Sequence, residues 1–230
     1  MAVYTYPDTA PGVFVRRNNR FTAEVLVGGR QETVHVKNTG RLAELLLPGA
    51  AVTLQRSDRP ERKTAFDLIS VYKPPLEWVN VDSAVPNALM RRYFEEQGCF
   101  VRPEYTYGSS RLDLYMEKAG RKYLAEIKGC TLAGENGTGL FPDAPTQRGV
   151  RHLAELTSAV RDGYMCSIVF VIQMNGIHRV LPNTATHPEF GAALASAAEA
   201  GVRVLCASCA VDASAIRVTS VLDDTASHLI

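Results

Sequence analysis

The alternation of apolar and polar positions divides the chain into an all-β first third and a mixed remainder. Between residues 12 and 73, five short runs read as strands: Gly12–Arg16, Phe21–Val27, Thr33–Lys37, Ala50–Arg56 and Thr64–Val71. From Phe21 to Val27 every second residue is apolar, the period of a half-buried strand. Gly28-Gly29 predicts a tight hairpin turn, and Asn38-Thr-Gly40 and Leu47-Pro-Gly49 break the later runs. Such closely spaced short strands fit a small antiparallel OB-like β-barrel. Lys73-Pro-Pro75 ends it, because consecutive prolines cannot continue a sheet ladder. The boundary is expected within residues 74–85, giving domains 1–80 and 81–230.

Helical spacing begins at Val85. Leu89, Met90, Tyr93 and Phe94 share one face, Arg91, Arg92, Glu95 and Glu96 the other, and Gly98 stops the helix. A strand over Cys99–Tyr107 precedes a hairpin in which Leu112, Leu114 and Met116 alternate with Arg111, Asp113 and Tyr115. Lys118-Ala119-Gly120 supplies its turn and Lys122–Lys128 its return. Thr146 can cap a helix reaching about Asp162, with Val150, Leu153, Leu156 and Val160 toward the core. Arg148, Arg151, His152 and Glu155 lie off that stripe. A buried strand at Cys166–Gln173, an alanine-rich helix at Pro188–Ala200 and strands at Val202–Ala207 and Ile216–Val221 complete the order. The whole reads as a two-domain α+β chain, the second domain a mixed sheet flanked by helices.

Composition changes this picture little. The chain is 46% hydrophobic and 21% charged, with a net charge of +1, so it does not announce a polyanion partner as a whole. The basic excess lies in the first third. Arg16, Arg17, Arg20, Lys37 and Arg41, with Phe21, supply the cations and the aromatic ring of an oligonucleotide-binding barrel. The plainer alternative puts Phe21 in the core and the arginines on a solvated face. Five scattered cysteines, and no basic start followed by an apolar core over Met1–Pro11, predict a reduced, cytoplasmic protein. The longest apolar run, Ile168–Ile172, is too short to span a bilayer, so no membrane partner is expected. Cys206-Ala-Ser-Cys209 stands alone and reads as small residues in a strand rather than a zinc site. The loop Gly129–Gly139 lacks the order of a phosphate-binding P-loop.

The hairpin carries the candidate chemistry. Side chains alternate across a strand, so Glu126 and Lys128 share a face with Ile127 on the other, and Asp113 can be brought beside them. Two carboxylates, Asp113 and Glu126, with the Ile127 carbonyl, can hold a hard divalent cation such as Mg²⁺ or Mn²⁺. Lys128 would orient water or offset charge on a phosphate, and Glu104 on the preceding strand could add a carboxylate. This set suits metal-assisted phosphodiester hydrolysis. The spacing alone is also met by a hairpin with cross-strand ion pairs on its solvent face.

A wider set of segments resembles the sugar fermentation stimulation protein A (SfsA) family. It comprises Arg17-Asn-Asn-Arg-Phe21, Asn38-Thr-Gly-Arg-Leu42, Glu44-Leu-Leu, Pro48-Gly-Ala50, Gly108-Ser-Ser-Arg-Leu-Asp113 and Glu126-Ile-Lys-Gly129. Thr131-Leu132, Phe141-Pro-Asp-Ala144, Thr146-Gln-Arg-Gly149, His152-Leu153 and Glu155-Leu156 follow in order. The resemblance implies an OB-like domain followed by a PD-(D/E)XK nuclease-like domain, and binding and metal-dependent cleavage of DNA or RNA. It maps the catalytic core onto Asp113, Glu126 and Lys128, with Glu104 upstream. Asp143, Arg148 and His152 fall in a second block placed near the scissile phosphate, with Asp143 capping a turn and His152 packed on its helix as the plainer alternatives, and Arg111 joins the nucleic-acid-binding set. Gly129, where Ser is common, Met174, where a basic residue is usual, and His187, where Asp usually precedes Pro188, depart from the pattern. The rival readings are a non-cleaving DNA-binding regulator of sugar-utilisation genes and a hydrolase of small phosphoesters. A homodimer is compatible with the sequence.

Overall fold

The computed structural model describes residues 1–59 and 61–229. After β1 (Val3–Thr5) come β2 (Thr9–Arg17), β3 (Thr22–Val27), β4 (Arg30–Val36), β5 (Ala51–Arg56), β6 (Phe66–Lys73) and β7 (Glu77–Asn80). Strands β4-β3-β2-β5-β6 form a ladder, and β4 pairs back onto β6 to close a five-stranded barrel. That closing seam, His35↔Asp67 and Val36↔Leu68, is parallel, so the barrel is not antiparallel throughout as expected. Inward positions of the alternating runs fill it: Phe14, Val25, Val34, Val36, Leu54 and Leu68. Gly28 and Gly29 adopt φ of 56° and 80° in the two-residue turn, where a Cβ would be strained. Phe21 is outside the barrel core and 54% exposed.

Pro74-Pro75 interrupts the ladder only briefly. The chain turns back as β7, unforeseen from sequence, which pairs with β6 and bridges to the second domain through Val79 and Met174.

The second domain follows as α1 (Val85–Glu96), β8 (Phe100–Tyr107), β9 (Ser110–Lys118), β10 (Arg121–Cys130), β11 (Leu132–Ala133), β12 (Thr138–Phe141), α2 (Gln147–Arg161), β13 (Met165–Ile172), β14 (Arg179–Pro182), α3 (Pro188–Glu199), β15 (Arg203–Val211) and β16 (Ala215–Asp223). Its seven-stranded sheet has the order β1-β16-β15-β13-β10-β9-β8. The central β10, β13 and β15 are parallel and the flanking pairs antiparallel. The first residues therefore do not belong with the barrel, as the 1–80 division had it: β1 pairs with β16 at the far edge of this sheet. Strands β11, β12 and β14 form a small separate sheet.

Helices cover both faces. Val85, Leu89 and Met90 of α1 pack with Leu114, Ala125, Ile127 and Val169. Leu153 and Leu156 of α2, with Phe190 of α3, pack with Leu112, Leu124, Ile168 and Phe170 in a core continuous with the barrel. Cys206 and Cys209 fall in these two different cores, so the C-x-x-C pair does not converge on one ligand.

A buried polar junction joins the domains. Lys37 Nζ lies 2.6 Å from Asp82, Asn80 donates to the Tyr6 hydroxyl at 2.9 Å, and Gln173 donates to Asn80 Oδ1 at 2.7 Å. Buried polar groups hold a geometry when their partners are complete, and this junction fixes the barrel loop after β4 against the sheet domain.

Candidate active site

The site is built where the central hairpin comes apart. Pairing of β9 with β10 runs from Lys118↔Arg121 to Leu114↔Ala125 and stops there. Pairing of β8 with β9 skips the Glu104–Asp113 position, and Glu104 takes φ 54°. The apolar alternation breaks at the same point: Leu112 packs on the α2 side, Leu114 and Met116 on the α1 side. The Ile127 amide, left without a β9 carbonyl, donates instead to Asp113 Oδ2 at 2.8 Å. A donor released from a ladder must find another acceptor, and the carboxylate supplies it. Asn87, in the first turn of α1, donates to Asp113 Oδ1 at 2.9 Å. Asp113 is thereby held from two elements.

Beyond the splay, β10 continues beside β13 and its alternation is kept. Glu126 and Lys128 point toward α2, and Ile127 points into the α1 core. Glu126 is 2% exposed. Its Oε1 accepts from Lys128 Nζ at 2.5 Å and from His152 Nδ1 of α2. Its Oε2 is buried and has no partner. All the hydrogen bonding falls on one oxygen and the other is left bare, a costly arrangement for a buried carboxylate unless a ligand completes it.

The two acids are driven apart electrostatically. Burial, then the nearby charge of Glu126, raises the Asp113 carboxyl above its ordinary range. Burial also pushes Glu126 upward, but the His152 and Lys128 contacts outweigh it and hold Glu126 below its ordinary range. Among the described residues no three His, Cys, Asp or Glu side chains form a metal cage. The oxygen set is two carboxylates and the Ile127 carbonyl. It fits a hard cation that retains several waters, and the unpartnered Glu126 Oε2 is the atom such an ion would complete.

These groups line a cleft of about 580 Å³ between the domains. Its sheet-domain wall carries Asp113, Glu126, Lys128, Arg148 and Gln173, and its barrel wall carries Arg20 and Asn38–Gly40. The barrel wall is shaped by Arg17, whose guanidinium donates to the carbonyls of Asn19, Arg20, Asn38, Gly40 and Arg41 at 2.6–3.1 Å. Asp143 reaches across from the sheet domain and accepts from the Arg41 amide at 3.0 Å.

The fold has counterparts among known proteins. The chain matches the family models "SfsA N-terminal OB domain" over residues 15–81 and "Sugar fermentation stimulation protein RE domain" over residues 82–215. The chain belongs to the sugar fermentation stimulation protein family. It is 45% identical to the homologue of Ruminiclostridium cellulolyticum, covering 93% of this chain and 96% of that one. Against a homologue of Desulfitobacterium hafniense it is 46% identical, covering 92% and 93%. The solved structure of Pyrococcus furiosus SfsA in complex with Ca²⁺ superposes with a TM-score of 0.88 at 26% identity, covering 96% of this chain and 98% of that one.

Set against the roles the family resemblance implied, the residues divide. Asp113, Glu126, Ile127 and Lys128 are brought together. Glu104 is not: its side chain is 69% exposed and lies against Arg111 at 3.5 Å. Its left-handed backbone turns it out of the cleft although Asp113 is opposite in register. His152, assigned to nucleic acid, is buried and faces Glu126, with Arg148 Nε 3.4 Å from its other nitrogen. Arg17 and Lys37 are occupied within the fold, the first by loop carbonyls and the second by Asp82 and Asp67. Arg16 is exposed on β2 opposite Glu24, outside the cleft. Arg20, Arg41, Arg111 and Arg148 are exposed, and only Arg20 and Arg148 of these line the cleft.

The departures from the family pattern have local causes. A Cβ at Gly129 would stand 2.2 Å from Gln173 Oε1, so glycine leaves room for that buried amide. Met174 is wholly buried at the bridge to β7, so the position faces the core and not a phosphate. His187 is buried at the start of α3, with Gln147 3.3 Å from its ring. Asn87 and Gln173 were missed as site residues. Asn87 belongs to a helix face that reads as solvated, and only the three-dimensional splay brings it to Asp113.

Proposed function

We propose that this family member binds nucleic acid and hydrolyses its phosphodiester bonds with a divalent metal, Mg²⁺ or Mn²⁺. The observation that carries the reading is the bare, buried Glu126 Oε2 beside Asp113 in a cleft walled by an OB barrel. Asp113, Glu126 and the Ile127 carbonyl are the groups that would hold the ion. Bound there, a divalent cation eases the loss of a proton from water and offsets charge building on the phosphate. The Ca²⁺ complex of the Pyrococcus relative is in keeping with an all-oxygen donor set.

The chain's own groups do the rest. Lys128 Nζ, held at Glu126, stands where it can orient the attacking water or neutralise the phosphate. His152 and Lys128 both hold Glu126 through Oε1, which fixes the side chain and leaves Oε2 as its free oxygen. Arg148 and Arg20, on opposite walls, hold the phosphate chain across it.

The test is incubation of the pure protein with labelled single-stranded DNA, duplex DNA and RNA, with and without Mg²⁺ or Mn²⁺, beside Glu126→Ala. Metal-dependent cleavage, lost in the variant while binding is retained, is the expected result. Binding without cleavage under either metal would favour the DNA-binding regulator instead. Hydrolysis of a chromogenic phosphodiester with indifference to polynucleotides would favour the small-ester hydrolase.

A further inference from the structure

A second cavity, about 660 Å³, opens beside the first, and Arg148 lines both. Its walls are the exposed face of α2 and the β8–β9 turn: Arg148, Arg151 and Glu155 on one side, Ser109, Ser110 and Arg111 on the other. Three guanidinium groups thus border one groove leading away from Glu126.

Charged residues on a helix are usually a neutralised, solvated face, and α1 is such a case. There Arg91 and Arg92 pair with Glu95 and Glu96 one turn on, at 2.8 and 3.2 Å. On α2 the same spacing, Arg151 and Glu155, gives no pair. Glu155 instead accepts from the hydroxyls of Ser109 and Ser110 at 2.9 and 3.1 Å. Gly108 makes this approach available, since a Cβ there would lie 2.9 Å from Glu155 Oε2. The carboxylate is used to tie α2 to the turn, and among the described residues no carboxylate lies within 4.0 Å of the Arg148 or Arg151 guanidinium. Arg111, the third guanidinium, lies 3.5 Å from Glu104 with both side chains exposed, a pair that solvent screens, so the groove keeps a net positive charge.

We propose that this groove is a second subsite for a polynucleotide strand, holding phosphates beyond the one in the Asp113–Glu126 cleft, with Arg151 and Arg111 as its anchors. The inference rests on the nucleic-acid half of the proposed function and adds to it a path for the strand: from the barrel wall at Arg20, past Glu126 and Arg148, to Arg151 and Arg111. A substrate no larger than the scissile ester would never reach the groove, so the subsite commits the protein to polymers. Binding there is electrostatic and therefore salt-dependent, since each neutralised phosphate releases counterions.

The experiment compares wild type, Arg151→Ala, Arg151→Glu and a charge-matched control, Arg121→Glu at the opposite end of β10. Binding of fluorescein-labelled oligonucleotides, one short and one long, is measured without metal over a range of KCl, and cleavage is followed separately with Mn²⁺. We expect Arg151→Glu to weaken binding of the long strand about tenfold and to leave the short strand within about twofold, with the control unchanged. Arg151→Ala should lower the slope of affinity against salt by about 1. Binding of the long strand by Arg151→Glu at wild-type strength, with an unchanged slope, overturns the subsite even if cleavage persists. Weakened long-strand binding by Arg151→Glu, beside a wild type that binds but never cleaves, would keep the subsite and remove the nuclease. A wild type that binds neither strand removes both. Arg151 is exposed, so both variants should fold, and near-ultraviolet circular dichroism checks this.

Discussion

Two basic residues of the barrel domain, Arg17 and Lys37, look like those of α2 in the sequence and are put to the opposite use. Arg17 directs its guanidinium at five backbone carbonyls, and Lys37 lies between Asp82 and Asp67 at the domain junction. Both are partly buried and both are satisfied within the chain. Arg148 and Arg151 are exposed beside a cavity, and the one carboxylate spaced to neutralise Arg151 has been drawn off by two serines. A cation engaged by the fold stabilises it, whereas a cation left unengaged contributes little to folding and is available to a ligand. That distinction, rather than residue type, decides which side chains belong to the site. It can be tested by asking which substitutions lower stability and which lower binding.

Lys37→Ala should have the largest effect. It strips the cation from Asp82, whose side chain is 1% exposed, and leaves a buried charge short of its partner. Breaking such a pair costs on the order of 3 kcal/mol, read as a shift in urea midpoint with an unchanged slope. Arg17→Ala comes next, at about 2 kcal/mol, because the carbonyls of Asn38, Gly40 and Arg41 lose a charged donor together. If either variant kept wild-type stability and lost only oligonucleotide affinity, the barrel cations would belong to the ligand and the comparison would fail.

These outcomes bear on how much could be read from the chain itself. The barrel's inward positions, the hairpin and the cap at Thr146 were legible because each depends on neighbours in sequence: alternation, a Gly-Gly turn, a hydroxyl three residues from an amide. The convergence of Asp113 with Glu126 and Lys128 was legible too, through strand alternation and the family pattern. What escaped depends on distant contacts. Nothing near Glu104 signals that its backbone turns left-handed and carries the carboxylate away from Asp113. His152 shares its helical face with Arg148 and Arg151 in the sequence, and only the approach of β10 buries it against Glu126. The edge strand β1 was invisible because its partner, β16, is the last strand of the chain. Arg17 and Arg20 sit three residues apart in one motif, and their different roles follow from where the loop after β4 comes to rest.

Arg148→Ala should behave oppositely to the barrel variants. Its side chain is exposed and, among the described residues, makes one hydrogen bond, 3.4 Å to the His152 ring, so stability should stay within about 0.5 kcal/mol. Because it lines both cavities, it should weaken binding of long and short strands alike, by about tenfold, or about 1.4 kcal/mol. This separates it from Arg151, whose loss should be felt by the long strand alone. Equal loss in both variants at every strand length would merge the two cavities into one undivided binding surface.

The smallest effect carries the same comparison over to the acids. On the proposed reading Asp113, like the α2 arginines, serves a ligand; burial, then the Glu126 charge, raises its carboxyl above the ordinary range. A group whose folded pKa is raised stabilises the fold fully below its unfolded value, and that contribution is lost as pH rises through the folded value. Glu126, engaged by His152 and Lys128, is lowered and does the reverse: its contribution is present above the unfolded value and is lost as pH falls through the folded one. Asp113→Asn keeps an oxygen for the Ile127 amide and removes the charge. Without metal, it should therefore melt higher than wild type at neutral pH, by about 2–4 °C, with the difference shrinking toward pH 4. Added Mg²⁺ or Ca²⁺ should raise the melting temperature of wild type and leave the variant where it was. A variant that melts lower than wild type at neutral pH, metal-free, would mean that Asp113 is engaged by the fold after all, as a scaffold for the Ile127 amide and Asn87 rather than a group reserved for an ion.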